Sequence, residues 1–223
     1  QNMLIDAGDN DQGDKVVEYL KGQGVEIIDF LVGTHPHADH IGGLDRVIDG
    51  FDIGQVYMPK VVHTTKTYMD VLEAADRKDL KIKAAYDGMD IPLEGAEARI
   101  LAPEQNLKSD NLNDYSIVLR LVYGNTVFMF QGDAESKTEQ NILESGVVDI
   151  KADVIKLGHH GSSSSNTREY IRAINPTYAV ITVGKGNKYG HPHREVLTLM
   201  KKEGITVYRT DEQGSIVAVS NGK

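Results

Sequence analysis

Three histidines and an aspartate fall within six residues of this 223-residue chain, in the run His35-Pro36-His37-Ala38-Asp39-His40. Imidazole and carboxylate without thiolate form a donor set that suits zinc, iron or manganese. His35 and His37 are two apart and project to the same side of an extended backbone. Asp39 and His40 follow where the chain turns. One short loop does not easily wrap four side chains around a single ion, but it can offer two to each of two neighbouring ions. So dense a run of metal-ligand types outweighs the alternative of polar surface residues that cluster by chance. Paired divalent ions make a nucleophile from water at neutral pH and stabilise displacement at phosphorus, so hydrolysis is the chemistry expected.

A second candidate is the loop from Gly184 to His193. Its glycines let backbone amides approach a ligand closely. Lys185, Lys188 and His191 offer positive or hydrogen-bonding groups suited to a phosphate. The plain alternative is a solvated basic turn. His63, in a Thr/Lys-rich stretch, and His193 have no companion ligands in sequence and read as surface residues.

These groups need elements to hold them. The apolar run Ile27–Val32 reads as a buried strand that delivers the His/Asp loop, and Leu44, Val47 and Ile48 read as the helix after it. Met3–Gly8 reads as a strand ending in a turn. Asp14 can cap a helix carrying Val16, Val17 and Leu20. Gln55–Met58 is a short strand, and Thr65 or Thr67 caps the helix that follows. Residues 81–86 and 97–101 read as strands, and 104–114 as a polar loop. Ser116–Tyr123 and Thr126–Gln131 flank Gly124-Asn125, a two-residue hairpin signal. A helix carries Ile142 and Leu143. Val154–Leu157 is a buried strand leading to His159, and a Ser-rich loop from Ser162 to Ser165 precedes a helix near Arg168. Tyr178–Val183 is a strand, a helix carries Val196, Leu197 and Met200, and 205–208 with 215–219 form a last pair of strands. The pattern is α/β.

Composition narrows the class. The length suits one sizeable core, a single domain over residues 1–223. Cysteine is absent, which excludes disulfides, thiolate metal sites and a cysteine nucleophile. No segment approaches 18 apolar residues, so no membrane-spanning stretch is expected. The net charge of −9 argues against a broadly basic nucleic-acid-binding surface, although bound cations would change the sign locally. The chain starts at Gln1 as if trimmed, and a monomer is expected.

The run HPHADHIGGL resembles the HxHxDH signature of the metallo-β-lactamase-fold hydrolases. Phe128-Met129-Phe130-Gln131-Gly132-Asp133 resembles the strand-plus-Gly-Asp motif of that fold. Lys156-Leu157-Gly158-His159-His160-Gly161-Ser162 and Tyr189-Gly190-His191-Pro192 resemble the HHGS and GHP motifs of the hydrolase domain of the ComEC DNA-uptake competence proteins, and Tyr208-Arg209-Thr210-Asp211 with Gly214 resembles its terminal hairpin. The likeness runs from about Met3 to about Val219, with the motifs in the expected order.

The resemblance implies a four-layer αββα sandwich, in which the strand that usually pairs before Met3–Gly8 is missing here. It implies two divalent ions, zinc or manganese. His35 and His37 would hold the first, Asp39 and His40 the second. Asp133 would bridge them, although by sequence alone it is equally a helix N-cap. The late ligand would come from the His159-His160 pair. Adjacent residues on an extended segment point opposite ways, so one is expected to ligate, with His160 favoured and His159 touching substrate or packing behind the ligands. The broader superfamily has a further histidine before the Gly-Asp strand pair. Residues 111–116 hold none, as in ComEC-like domains, which leaves Asn113 or Asp114 near the first ion. The implied activity is a metal-dependent phosphodiesterase or nuclease acting on DNA. Asp39 would orient the attacking group, His159 or His191 would protonate the leaving group or neutralise phosphoryl oxygens, and Ser162, Lys185, Lys188 and His191 would hold phosphate. A phosphorylcholine-type esterase, or a catalytically silent metal-binding recognition module, is the alternative. A location outside the cell or facing its envelope is expected, with the cytoplasm as the other choice.

Overall fold

The computed structural model describes residues 1–146 and 149–223. The chain forms two compact units whose segments alternate along the sequence. The first takes residues 1–86 and 103–117, the second residues 87–102 and 118–223.

The first unit runs β1 (Met3–Ile5), α1 (Gly13–Gly22), β2 (Ile27–Val32), α2 (Ala38–Ile41), α3 (Leu44–Gly50), β3 (Asp52–Pro59), α4 (Lys66–Arg77) and β4 (Ile82–Ala85). Its sheet has the order β1-β2-β3-β4 with every pair parallel. Helices joining successive strands make parallel pairing possible. Ile28 and Leu31 of β2 pack with Leu44, Val47 and Ile48 of α3 and with Val71 and Ala74 of α4, so the strand that delivers the His/Asp loop is clamped in a dry core. Gly42 and Gly43 are required by close approach. A Cβ on Gly43 would lie 2.4 Å from the Ala7 carbonyl oxygen, and one on Gly42 would lie 2.3 Å from the Asn10 nitrogen. Thr65 caps α4 by accepting the Tyr68 N–H. Asp14 does not cap α1. Gln12 occupies that position, and Asp14 sits in the first turn, where its charge still complements the helix dipole. Residues 103–117 return to this unit, and the Ile117 N–H donates to the Thr34 carbonyl at 2.9 Å.

The second unit runs β5 (Asp90–Ile91), β6 (Glu97–Ala102), β7 (Val118–Tyr123), β8 (Thr126–Phe130), α5 (Ser136–Ser145), β9 (Val154–Lys156), α6 (Arg168–Ile174), β10 (Tyr178–Ile181), α7 (Arg194–Lys202), β11 (Thr206–Arg209) and the single turn α8 (Thr210–Gln213). Among the described residues its strands lie in the order β11-β10-β9-β8-β7-β6-β5. The β5 to β8 half is antiparallel, with Gly124-Asn125 as the β7–β8 turn, and the β8 to β11 half is parallel. Met129, Ile155 and Ala179 on neighbouring strands bury into one core with Ile142 of α5, Ile171 of α6 and Met200 of α7.

The expected terminal hairpin does not form. β11 pairs in parallel with β10, and residues 215–219 carry no strand. Their apolar run, Ile216 to Val219, finds no ladder, and Val217 and Val219 stay 75% and 91% exposed. Among the described residues no helix is long and apolar enough to cross a membrane.

Candidate metal centre

The first unit gathers His35, His37 and His40 at the mouth of β2. His35 and His40 are buried, and their rings lie 4.2 Å apart by centroid. His35 Nε2 is 3.0 Å from His37 Nδ1, with the rings edge to face. The expected same-side projection of these two residues holds. Asp39 is half-exposed in the first turn of α2, and its carboxylate lies 4.0 Å from His40 Nε2.

Asp6, at the end of β1, organises this cluster, although no motif in the sequence singles it out. Its Oδ1 accepts the Thr34 N–H at 2.7 Å. Its Oδ2 accepts the Thr34 hydroxyl at 2.8 Å and faces His40 Nδ1 at 2.7 Å. Thr34 Oγ1 lies 3.1 Å from His35 Nδ1. With each donor donating, one chain of hydrogen bonds runs from His35 Nδ1–H to the Thr34 hydroxyl, to Asp6, and back from His40 Nδ1–H. Both rings are thereby fixed in the tautomer whose Nε2 keeps its lone pair. Burial pushes the Asp6 carboxyl up, but His40, Thr34 and His35 outweigh it and hold the group below the usual carboxylate range.

The second unit gathers Asp133, His159, His160, His191 and His193. Asp133 is buried, and it is not the cap of α5, since Glu135 occupies that position. The His159-His160 pair is not extended. Both residues adopt left-handed backbone, φ 48° and 53°, inside the turn 158–161. The expectation that they point opposite ways fails for that reason. Both Nε2 atoms face Asp133 Oδ2, at 3.5 Å for His160 and 3.8 Å for His159. On the other side of each ring, His160 Nδ1 donates to the Thr182 carbonyl at 2.7 Å, and His159 Nδ1 lies 3.1 Å from Glu135 Oε1.

Four imidazoles, two in each unit, thus have Nδ1 tied to an acceptor and Nε2 presented. Ligands of divalent metals have this arrangement, because the partner on the far nitrogen fixes tautomer and orientation. The donor set of each unit therefore fits metal binding.

Other expected residues fall differently. Ser162 is buried and its hydroxyl is engaged with Ser164, whose own hydroxyl reaches Glu135 and His159. Ser162 thus holds its own turn together. Lys185 and Lys188 are exposed on their loop. Of the positive or hydrogen-bonding groups expected on this loop, His191 is of the second kind. Burial first, then His159, His193 and His160 beside it, lower it to about 4, so it is neutral at pH 7. His193 is no isolated surface residue. Its ring stacks edge to face on His191 at 4.8 Å, and its Nδ1 accepts the Ser163 N–H at 2.9 Å. Its spacing, two after His191, is the signal in the sequence that points to this pairing. His63 is half-buried against the Tyr68 ring at 6.2 Å. Asn113 and Asp114 are buried in the first unit, and Asp114 accepts the Ser109 hydroxyl at 2.6 Å.

Comparison with known proteins gives the same direction. The chain is 33% identical over 205 residues to ComE operon protein 3 of Bacillus subtilis, covering 92% of this chain and 26% of that protein. It is 29% identical to competence protein ComA of Neisseria gonorrhoeae, over 90% of this chain and 26% of that protein. It therefore spans about a quarter of the length of these relatives. Among solved structures it resembles the metallo-beta-lactamase fold protein YhfI of Bacillus subtilis, with TM-score 0.57 and 12% identity over 93% of this chain and 83% of that one. The family model of the metallo-beta-lactamase superfamily matches residues 1–185. With most of its length matched, and with its histidines held as metal ligands are, the chain belongs to the metallo-beta-lactamase superfamily.

Proposed function

We propose that this chain is a metal-dependent phosphodiesterase acting on DNA, a single hydrolase domain over residues 1–223. It would hold two divalent ions, zinc or manganese, with the ligand set the family resemblance implies: His35, His37, Asp39, His40, Asp133 and His160. The observation that carries the reading is the anchoring of Nδ1 in His35, His40 and His160, three members of that set. Surface histidines have no need of such partners, whereas ligands do. The choice of DNA draws on the resemblance to competence-protein hydrolase domains, on a relative named as a competence protein, and on the exposed lysines of the 184–193 loop.

Two bound ions supply Lewis acidity and a water acidified towards neutral pH. The chain supplies orientation. Asp39, half-exposed beside His40, orients the attacking water. The water oxygen adds to phosphorus as one ester P–O bond breaks, the proton it sheds passes to solvent, and the leaving oxygen takes a proton. His159, with its Nδ1 held by Glu135, would supply that proton from Nε2 in its doubly protonated form. Neutral His191 donates a hydrogen bond to a phosphoryl oxygen. Lys185 and Lys188 contact the strand backbone.

The test is turnover of bis-p-nitrophenyl phosphate and of a labelled DNA strand with manganese or zinc added. Metal-dependent cleavage of both is expected. Protein shown by elemental analysis to carry metal, yet inert on both substrates, would overturn the proposal.

A further inference from the structure

Tyr189 has no role in the hydrolytic machinery, yet it is 64% exposed on a loop that otherwise carries polar and small residues. Its ring lies 5.7 Å from the His191 ring at an interplanar angle of 25°, so it continues outward from the histidine cluster as a stacked layer. Lys188 Nζ lies over the Tyr189 ring, 5.1 Å from its centroid, on a flexible side chain that leaves the tyrosine largely exposed. The loop is pinned so that this layer is held in place. Asn187 Oδ1 accepts the N–H of Tyr189 at 3.1 Å and of His191 at 3.0 Å, and its Nδ2 donates to the His191 carbonyl at 2.7 Å.

An exposed aromatic face costs solvation unless something covers it. A flat π-face next to an ammonium group and a hydrogen-bonding imidazole matches one repeating chemical unit, a base joined to a phosphate. Proteins that hold single strands combine stacking rings with cationic groups along the backbone in this way. A base inside a duplex has both faces occupied and cannot reach such a ring without leaving the stack.

We propose that Tyr189 is a base-stacking platform, and that the substrate reaching the histidine cluster is single-stranded nucleic acid. Lys188 takes the phosphate of the stacked nucleotide. This rests on the phosphodiesterase reading for its substrate class, but its test does not depend on cleavage.

The test is binding of the full chain, with manganese present, to a fluorescein-labelled (dT)12 strand whose phosphorothioate linkages resist cleavage, read by anisotropy. A strand of the same length with abasic positions and a (dT)12·(dA)12 duplex serve as comparisons. The parent chain should bind (dT)12 about tenfold more tightly than either, the size expected for one stacked base. Tyr189→Ala should lose that margin and bind (dT)12 and the abasic strand equally, while Tyr189→Phe keeps it. This double-mutant cycle isolates the ring–base contact. Equal affinity of parent and Tyr189→Ala for (dT)12, or parent affinity for the duplex equal to that for the single strand, would overturn the platform. Cleavage is measured separately. A parent chain that shows the tenfold margin but no metal-dependent turnover would sink the hydrolase reading and leave the platform standing.

Discussion

Replacing Asp6 with asparagine changes one atom in the frame behind the first-unit histidines. The carboxylate accepts three hydrogen bonds, from the Thr34 N–H, the Thr34 hydroxyl and His40 Nδ1–H. An amide has one acceptor oxygen, so in its best orientation it keeps two of them and turns an NH2 group towards the third donor. Losing a bond to a charged group costs about 1.5–3 kcal/mol, and the two that remain weaken because their acceptor is neutral. The Asp6 side chain is only 14% exposed, so water does not repair the loss. We expect Asp6→Asn to lower stability by about 3 kcal/mol, read as roughly 6–12 °C in Tm for a chain of this size. Metal affinity should fall about 10–100-fold, since His40 loses the partner that fixes its tautomer. The pH dependence gives a further check. The folded Asp6 carboxyl lies below its unfolded value. Its contribution is therefore present above about pH 4 and lost as pH falls through the folded value. The parent should lose stability more steeply below pH 4 than the variant. Urea unfolding across pH and a chelator-competition titration measure these effects. An Asp6→Asn protein within about 0.5 kcal/mol of the parent, with unchanged metal affinity, would refute the frame.

Four further outcomes follow from the same geometry. His37→Ala and Asp39→Ala should each lower metal content, and activity at least tenfold; full metal occupancy in both would remove them from the ligand set. Lys185→Ala and Lys188→Ala should each reduce the salt slope of single-strand binding by about 0.7, with little change in metal content; unchanged slopes would make the loop an ordinary basic turn. Gly43→Ala places a methyl group against the Ala7 carbonyl and should destabilise by about 1–3 kcal/mol in a denaturant titration. His63→Ala removes a ring that packs beside Tyr68 and should keep activity within about twofold; a larger loss with stability intact would show a function for that stretch.

The features legible in the sequence are those written locally. Ile27–Val32 is apolar on nearly every position, the mark of a strand buried on both faces, and HPHADH states its ligand types outright. Glycine and asparagine at 124–125 mark the β7–β8 turn. The features that stay hidden depend on distant partners or on backbone that residue types do not announce. Asp6 lies 34 positions from His40, and nothing in Leu4-Ile5-Asp6-Ala7-Gly8 says which residue its carboxylate meets, although an acid closing a strand is a usable hint. His159 and His160 adopt positive φ, which non-glycine residues seldom do, so alternation on an extended chain wrongly points them apart. Hydroxyl-rich loops often face solvent, which makes Ser162 look available; here its hydroxyl is used by its own loop. The apolar, β-branched run at 215–219 has a strand's composition, but composition alone does not supply a partner.

The alternation of segments between the two units bears on how the protein is made. The sheet of β1 to β4 is written by Ala85, yet the segment that bonds its Thr34 carbonyl ends at Ile117. Between the two, the ribosome must first produce β5 and β6, which belong elsewhere. At ordinary synthesis rates this interval lasts on the order of a few seconds. Throughout it the nascent chain carries three clustered histidines on an incomplete support. Release of a fragment ending near Tyr86 would strand that half without Asn113, Asp114 and Ile117. Neither unit can be obtained alone by a single cut, since a break after residue 86 leaves the first without 103–117 and a break after 117 leaves the second without 87–102.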